Sequence, residues 1–143
     1  MSTLEKAIEI AARHHAGQTD KAGKPYLLHP LRLMFAVRTE YERIAAVLHD
    51  VVEDTPVSLQ DLENEGFHPD IIRAVDGLTK RAGETRLAAA ERAAADPIAR
   101  NVKLADVTDN MDLKRIPEPD DGDFERLKEY VKVRKLLMDH GAT

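Results

Sequence analysis

The chain has no cysteine and no tryptophan, and only three phenylalanines and three tyrosines among 143 residues. Without cysteine it can form no disulfide, thiolate metal site or thiol nucleophile, which leaves histidine, aspartate and glutamate as its strong metal ligands. Scarce aromatics beside abundant alanine and leucine point to an aliphatic helical core, not a β-sandwich. There is no run of lysine and arginine, and 26 acids outweigh 21 bases to give a net charge of −5. Non-specific binding to nucleic acid needs a basic stripe, so no nucleic-acid partner is expected. No stretch approaches the roughly 20 apolar residues of a membrane helix. The N-terminal "MSTLEKAIEIAARHHAG" lacks the apolar centre of a signal peptide. The expectation is a soluble, cytoplasmic protein with no membrane partner, whose residues 1–143 form one domain with its own core.

Helix signals dominate what is there. Ser2, Thr3, Leu4 and Glu5 fit a capping box, and Leu4, Ala7, Ile8, Ala11 and Ala12 follow at helical spacing. Gly17 closes this helix, and "GQTDKAGKPY" reads as a loop. Pro30 is expected to open a second helix, where its missing N–H does no harm. Residues 40–53, "EYERIAAVLHDVVE", are expected to form one continuous third helix with Ile44, Val47, Leu48, Val51 and Val52 along its apolar stripe. Ser58 caps the next helix and Gly66 ends it. Pro69, Thr85 and the Asp96-Pro97 pair mark three further starts. "IPEPDDGD" reads as a solvated acidic connector, and a last amphipathic helix spans about 123–140. With no convincing strand and no repeat, the fold class is all-α.

One stretch resists this reading. "VLHDVVEDT", residues 47–55, sets His49, Asp50, Glu53 and Asp54 among valines and leucine. Burying unpaired charge costs several kcal/mol, roughly, so these groups need a reason to be there. A divalent ion supplies one, because its charge offsets the burial of an acid and both an imidazole and a carboxylate can reach it. Two ligands rarely suffice. The distant partners that suggest themselves are His29, at the mouth of a helix, and Asp106, another acid in an apolar run, "VKLADVTDN". A set of histidines and carboxylates without thiolate suits Mn²⁺ or a similar divalent ion better than structural zinc. Such an ion, with coordination positions open, polarises a phosphoryl oxygen or activates a water. Glu53 and Asp54 stand four residues after His49 and Asp50, on the same side of the expected helix, placed to orient that water or take its proton.

"HHAGQTDKAGKPYLLHP", "AAVLHDVVEDT", "GLTK" and "VKLADVTDN", in this order and at these separations, resemble the HD-domain metal-dependent phosphohydrolases. The nearest branch is the hydrolase domain of RelA/SpoT-type proteins together with the stand-alone small alarmone hydrolases. The resemblance covers roughly residues 4–116 and adds little over the last helix. It implies a single HD-domain helical bundle and Mn²⁺-dependent removal of the 3′-pyrophosphate from (p)ppGpp. Carried over, it puts metal ligation on His29, His49, Asp50 and Asp106, and the acids beside the hydrolytic water on Glu53 and Asp54. It puts substrate contacts on Lys21 and Asn110. Two positions depart from the pattern: Asp20 stands where alarmone hydrolases carry an arginine that packs on the guanine, and Met111-Asp112-Leu113 replaces an arginine and a threonine. Loss of that arginine removes a cation–π contact, so the substrate expectation widens to another nucleotide bearing a pyrophosphate.

Plainer roles are expected for other polar residues. His14 and His15 read as surface or helix-end residues, with His15 also a candidate for supporting the site from behind; His68 reads as a helix-entry residue and His140 as a helix-end one. Asp109 reads first as an exposed acid, with support of the site from behind as the alternative, and Arg13, Arg32 and Arg43 read as solvated. Lys80 and Lys103 suit either phosphates or salt bridges. Two non-enzymatic alternatives stand beside the hydrolase: a catalytically silent nucleotide- or metal-binding module, and a plain helical interaction domain. The first leaves the Glu53-Asp54 pair without a purpose, and the second leaves His49, Asp50 and Asp106 unexplained.

Overall fold

A computed structural model describes residues 3–143. The expected all-α class is what is found. Among the described residues there is no strand, and the nearest approach to one is an isolated bridge between Thr19 and Pro25. The helices are α1 (Leu4–His14), α2 (Leu28–Ala36), α3 (Glu40–Leu48), α4 (Val51–Asp54), α5 (Leu59–Asn64), α6 (Pro69–Leu78), α7 (Arg86–Ala94), α8 (Pro97–Asn110) and α9 (Asp121–Asp139), with a short 3₁₀ turn over Leu113–Arg115.

Most starts are set by side chains that take up orphan N–H groups. Ser58 with Asp61 and Thr39 with Glu42 make reciprocal capping boxes, Thr85 accepts from Ala88, and Asp96 accepts from both Ile98 and Ala99. At α1 the cap is Thr3, which accepts from Lys6; Ser2, the first member of the expected box, lies outside the described residues. Helix α2 begins at Leu28, two residues before the proline expected to open it, so Pro30 sits in the first turn, where its absent N–H is one of the orphans.

Two apolar clusters hold the bundle. The larger gathers Ala7, Leu33, Ile44, Leu48, Ile71 and Val102 from α1, α2, α3, α6 and α8. The smaller joins Ala90 and Ala94 of α7, Val107 of α8, and Val133 and Leu137 of α9. Helix α8 faces both, so it carries its polar residues along the seam between them.

The one continuous helix expected over 40–53 is broken: α3 stops at Leu48 and α4 starts at Val51. The His49 ring is the cause. Its Nδ1 lies 2.7 Å from the Ala46 carbonyl, the acceptor that a continuing helix would offer to the N–H of Asp50. The last turn tightens instead, with His49 N–H also directed to Ala46, and Asp50 takes φ −105° and ψ 0°. The acidic connector is also shorter than expected, because Asp121, Gly122 and Asp123 already form the first turn of α9 and Asp123 is buried.

Candidate metal and active site

The break between α3 and α4 brings the odd residues together. His29, in the first turn of α2, and His49 and Asp50, at the break, each offer one ligand atom within 4.8 Å of the others. Asp106 reaches them from the middle of α8: its Oδ1 is 2.9 Å from His29 Nε2 and 3.7 Å from His49 Nε2. Asp50 Oδ2 is 2.9 Å from His49 Nε2. Asp50, Glu53 and Asp54 form a second group within the same 4.8 Å spread, sharing Asp50 with the first. The chain therefore gathers all six expected metal-binding and water-handling residues at one place.

Protonation follows from the partners. A carbonyl only accepts, so His49 Nδ1 carries the proton given to Ala46, and Nε2 is the face turned to the acids. That Nε2 is buried and has no hydrogen-bond partner of good geometry. Burial works to lower the His49 pKa, but the charges of Asp50 and Asp106 outweigh it and raise it well above the ordinary imidazole value. His29 is raised in the same way against burial, by Asp106 and Asp109. Asp106 goes the other way: burial pushes it up, but Lys103, His29 and His49 hold it well below the usual carboxylate range. Asp50 is likewise lowered, burial being overcome by His49. The acids thus favour positive charge at this point, which a bound cation supplies in place of ring protons.

A divalent ion fits this set. An orphaned imidazole nitrogen, a second imidazole and two ionised carboxylates, all buried or half-buried, are donors whose mutual charge calls for a cation. The ligand atoms are also supported from behind. His29 donates from Nδ1 to Asp109 Oδ2 at 2.6 Å, the arrangement that fixes the tautomer of metal-binding histidines. Arg32 braces Asp109 with two hydrogen bonds, 2.8 and 3.1 Å, and Arg115 adds a second cation at 3.3 Å. Burial would raise Asp109, but His29, Arg32 and Arg115 hold its carboxyl at about 2. The Tyr26 phenol donates to Asp50 Oδ2 and packs on the rings of His15 and His29.

These supports overturn three expectations. Asp109 is no exposed acid but a side chain 13 % exposed, and Arg32 is not solvated but spent on it. The surface reading of His15 fails, since it is buried, but its helix-end and supporting readings fit: it ends α1, with Nδ1 2.8 Å from Gln18 and its ring 5.0 Å from Tyr26. Helical spacing held a signal for Asp109, one turn beyond Asp106 on the same side of α8. The plainer readings of His68 and His140 fit, since His68 caps α6 and His140 bonds the Leu136 carbonyl at the end of α9.

The site opens into a cavity of about 590 Å³, ample for a nucleotide. Glu53 is fixed at its edge, accepting the Lys80 backbone N–H at 2.8 Å. Asp54 is pushed up to about 6, by partial burial first and then by Asp50 and Glu53. Lys103 is paired with Asp106 at 3.0 Å, so the salt-bridge reading of that residue holds. Asn110 lines the cavity and its amide lies 3.2 Å from Asp106 Oδ1. Lys21 also lines it, held by Asp123. Asp20 lines it too, but its Oδ1 accepts the N–H groups of Ala22 and Lys24, both at 2.9 Å, and so shapes the loop. Unexpectedly, α9 supplies Arg126, Leu127 and Tyr130 to the wall, the helix that the sequence resemblance left aside.

Comparison with known proteins agrees with this geometry. A solved metazoan orthologue of SpoT that hydrolyses ppGpp superposes with a TM-score of 0.74 at 27 % identity, covering 96 % of this chain and 84 % of that one. The GTP pyrophosphokinase of Streptomyces coelicolor is 35 % identical over 151 residues, and the bifunctional (p)ppGpp synthase/hydrolase SpoT of Escherichia coli is 38 % identical over 81. These matches cover 94 % and 54 % of this chain but only 16 % and 11 % of the relatives' lengths. Fold and side chains together define an all-helical domain with a candidate metal centre. The chain belongs to the HD domain family, whose profile matches residues 7–118.

Proposed function

We propose that the protein is a Mn²⁺-dependent nucleotide pyrophosphohydrolase that removes the 3′-pyrophosphate of (p)ppGpp or a related alarmone. The observation that carries this reading is the meeting of His29, His49, Asp50 and Asp106 with Glu53 and Asp54 at one cavity of nucleotide size. Kinship with SpoT-type hydrolases supports the substrate class. His29, His49, Asp50 and Asp106 would hold the ion. When bound, it supplies Lewis acidity at a phosphoryl oxygen and a water of lowered pKa.

The chain's own groups do the rest. Asp54, whose pKa of about 6 lies near neutrality, is suited to accept the water's proton, and Glu53, anchored by the Lys80 N–H, to orient the water. Lys21 and Asn110 contact the nucleotide. A specific observation favours a second reading of the substrate, an HD-domain hydrolase for another nucleotide. Asp20 has its carboxylate tied into the loop and offers no guanidinium to stack on a base.

The test incubates metal-stripped protein with Mn²⁺ and ppGpp, pppGpp, ppApp, GTP or a dinucleotide polyphosphate, and identifies products by chromatography. Pyrophosphate released from ppGpp together with GDP is the expected result. Bound Mn²⁺ without turnover of any nucleotide would move the assignment to a silent binding module, and failure to bind Mn²⁺ would remove both readings.

A further inference from the structure

We infer that Asp123 is a positioning residue for an anionic substrate, holding Lys21 and Arg126 as a two-cation clamp on the cavity wall. This rests on the proposed reading of the cavity as a phosphoryl site. Asp123 stands in the first turn of α9 and is only 7 % exposed. Its Oδ1 accepts from Lys21 Nζ at 3.0 Å and from the Arg126 guanidinium. Its Oδ2 accepts the backbone N–H of Asp120 at 2.9 Å.

The two cations come from opposite ends of the chain, with Lys21 102 residues before Asp123. Both line the cavity. Left to themselves they would repel one another and turn into water, since each long side chain gains rotamer entropy there. One buried carboxylate cancels that repulsion and fixes both heads. It takes one of three ammonium protons and part of a five-donor guanidinium. The remaining donors are free to meet phosphate oxygens, and both side chains keep access to solvent, 60 % for Lys21 and 36 % for Arg126. The arrangement is preorganisation: the ordering is done before the ligand arrives. It also gives α9, which lies beyond the residues matched by the family profile, a part in substrate capture.

The alternative is that Asp123 does no more than cap α9 and tie the first loop to it. Asp123→Asn separates the two, because asparagine keeps an oxygen for the Asp120 N–H while losing the charge that gathers the cations. With Mn²⁺ and ppGpp, Asp123→Asn is expected to raise KM about tenfold with kcat within about twofold, the signature of lost binding common to ground and transition states. Lys21→Met should do the same, and the double variant should be no worse than the poorer single one, because both remove one unit. Asp123→Glu should recover most of the affinity, and Arg126→Met carries the comparison with Lys21→Met if Asp123→Asn does not fold. A fall in Tm with KM unchanged, or effects of the two substitutions that simply multiply, would overturn the inference.

Binding of inorganic pyrophosphate, followed by calorimetry on the Mn²⁺-loaded protein, keeps the inference separate from the hydrolase reading. A wild type that binds pyrophosphate about tenfold more tightly than Asp123→Asn, yet turns over no nucleotide, would sink the hydrolase reading and leave the clamp standing. Equal pyrophosphate binding by the two proteins, or none by the wild type, would sink the clamp.

Discussion

The two ends of the cavity are built differently. At the metal end the expected ligands are short and buried or half-buried, and most are held by a second group: His49 by the Ala46 carbonyl, His29 by Asp109, Asp109 by Arg32 and Arg115, Asp50 by Tyr26. It is seated against the larger apolar cluster, with Leu48 and Val51 fully buried on either side of His49 and Asp50. At the other end the wall consists of long, partly exposed cations and an aromatic ring, with Arg86 over Tyr130 at 4.9 Å, carried by α7 and α9 on the smaller cluster. The difference teaches a division of labour. Under the proposed function, chemistry that needs atoms fixed to tenths of an ångström would sit on the larger core, and recognition of a charged ligand on the smaller one, where long side chains tolerate change.

The largest effects should fall at the metal end, and they should separate holding from reacting. Asp50→Ala is expected to abolish metal binding, measured by metal analysis after dialysis. Glu53→Ala should keep the metal and lose turnover by roughly 10²–10⁴-fold, the range for a displaced water-handling acid. Equal metal loss in both variants would collapse the distinction. The smaller cluster offers the converse. Leu137, fully buried on α9, when cut to alanine should destabilise the protein by about 2–5 kcal/mol in urea denaturation. Metal affinity should stay within about twofold of wild type, since sites that share no partner act nearly independently. A large loss of metal affinity would mean that the two ends are one cooperative unit.

A smaller effect probes the support behind the metal end. Asp109→Asn removes the charge behind His29 while leaving an oxygen to accept its Nδ1 proton. Metal affinity is expected to fall about 10–100-fold, as for other supporting carboxylates, and titration with Mn²⁺ measures it. An unchanged affinity would return Asp109 to a merely structural part.

What could be read in advance divides along the same line. The helix starts at Ser58, Thr85 and Asp96 were legible because a cap acts within three residues of itself. His49, Asp50 and Asp106 were legible because acids and imidazoles inside apolar runs are costly unless something offsets them. The break after Leu48 was not, because it depends on an imidazole capturing a carbonyl that the hydrophobic pattern assigns to the backbone. Arg32 and Asp109, 77 residues apart, and Lys21 and Asp123, 102 apart, meet only through the packing of α2 on α8 and of the first loop on α9. In the sequence Arg32, Asp109 and Asp123 looked like solvated charges, and Lys21 like a substrate contact with no partner of its own. Local chemistry was visible; its supports were not.

The smallest expected effect concerns how the larger core holds α3 and α8 together. Glu42 completes the capping box of α3 and accepts from Asn101 of α8 at 2.6 Å, as well as from the N–H groups of Arg38 and Thr39. Burial works to raise its pKa, but Asn101 and those backbone groups outweigh it and leave it lowered. A lowered folded pKa means that Glu42 stabilises the protein at all pH above the unfolded value of about 4.3, and that this contribution fades as pH falls through the folded value. Glu42→Gln should therefore cost about 1 kcal/mol near neutrality and flatten the decline in stability below about pH 4. Urea denaturation at a series of pH values measures both. An unchanged acid slope would show that the carboxylate's charge is idle there, and that a neutral side chain accepting from Asn101 suffices to join α3 to α8.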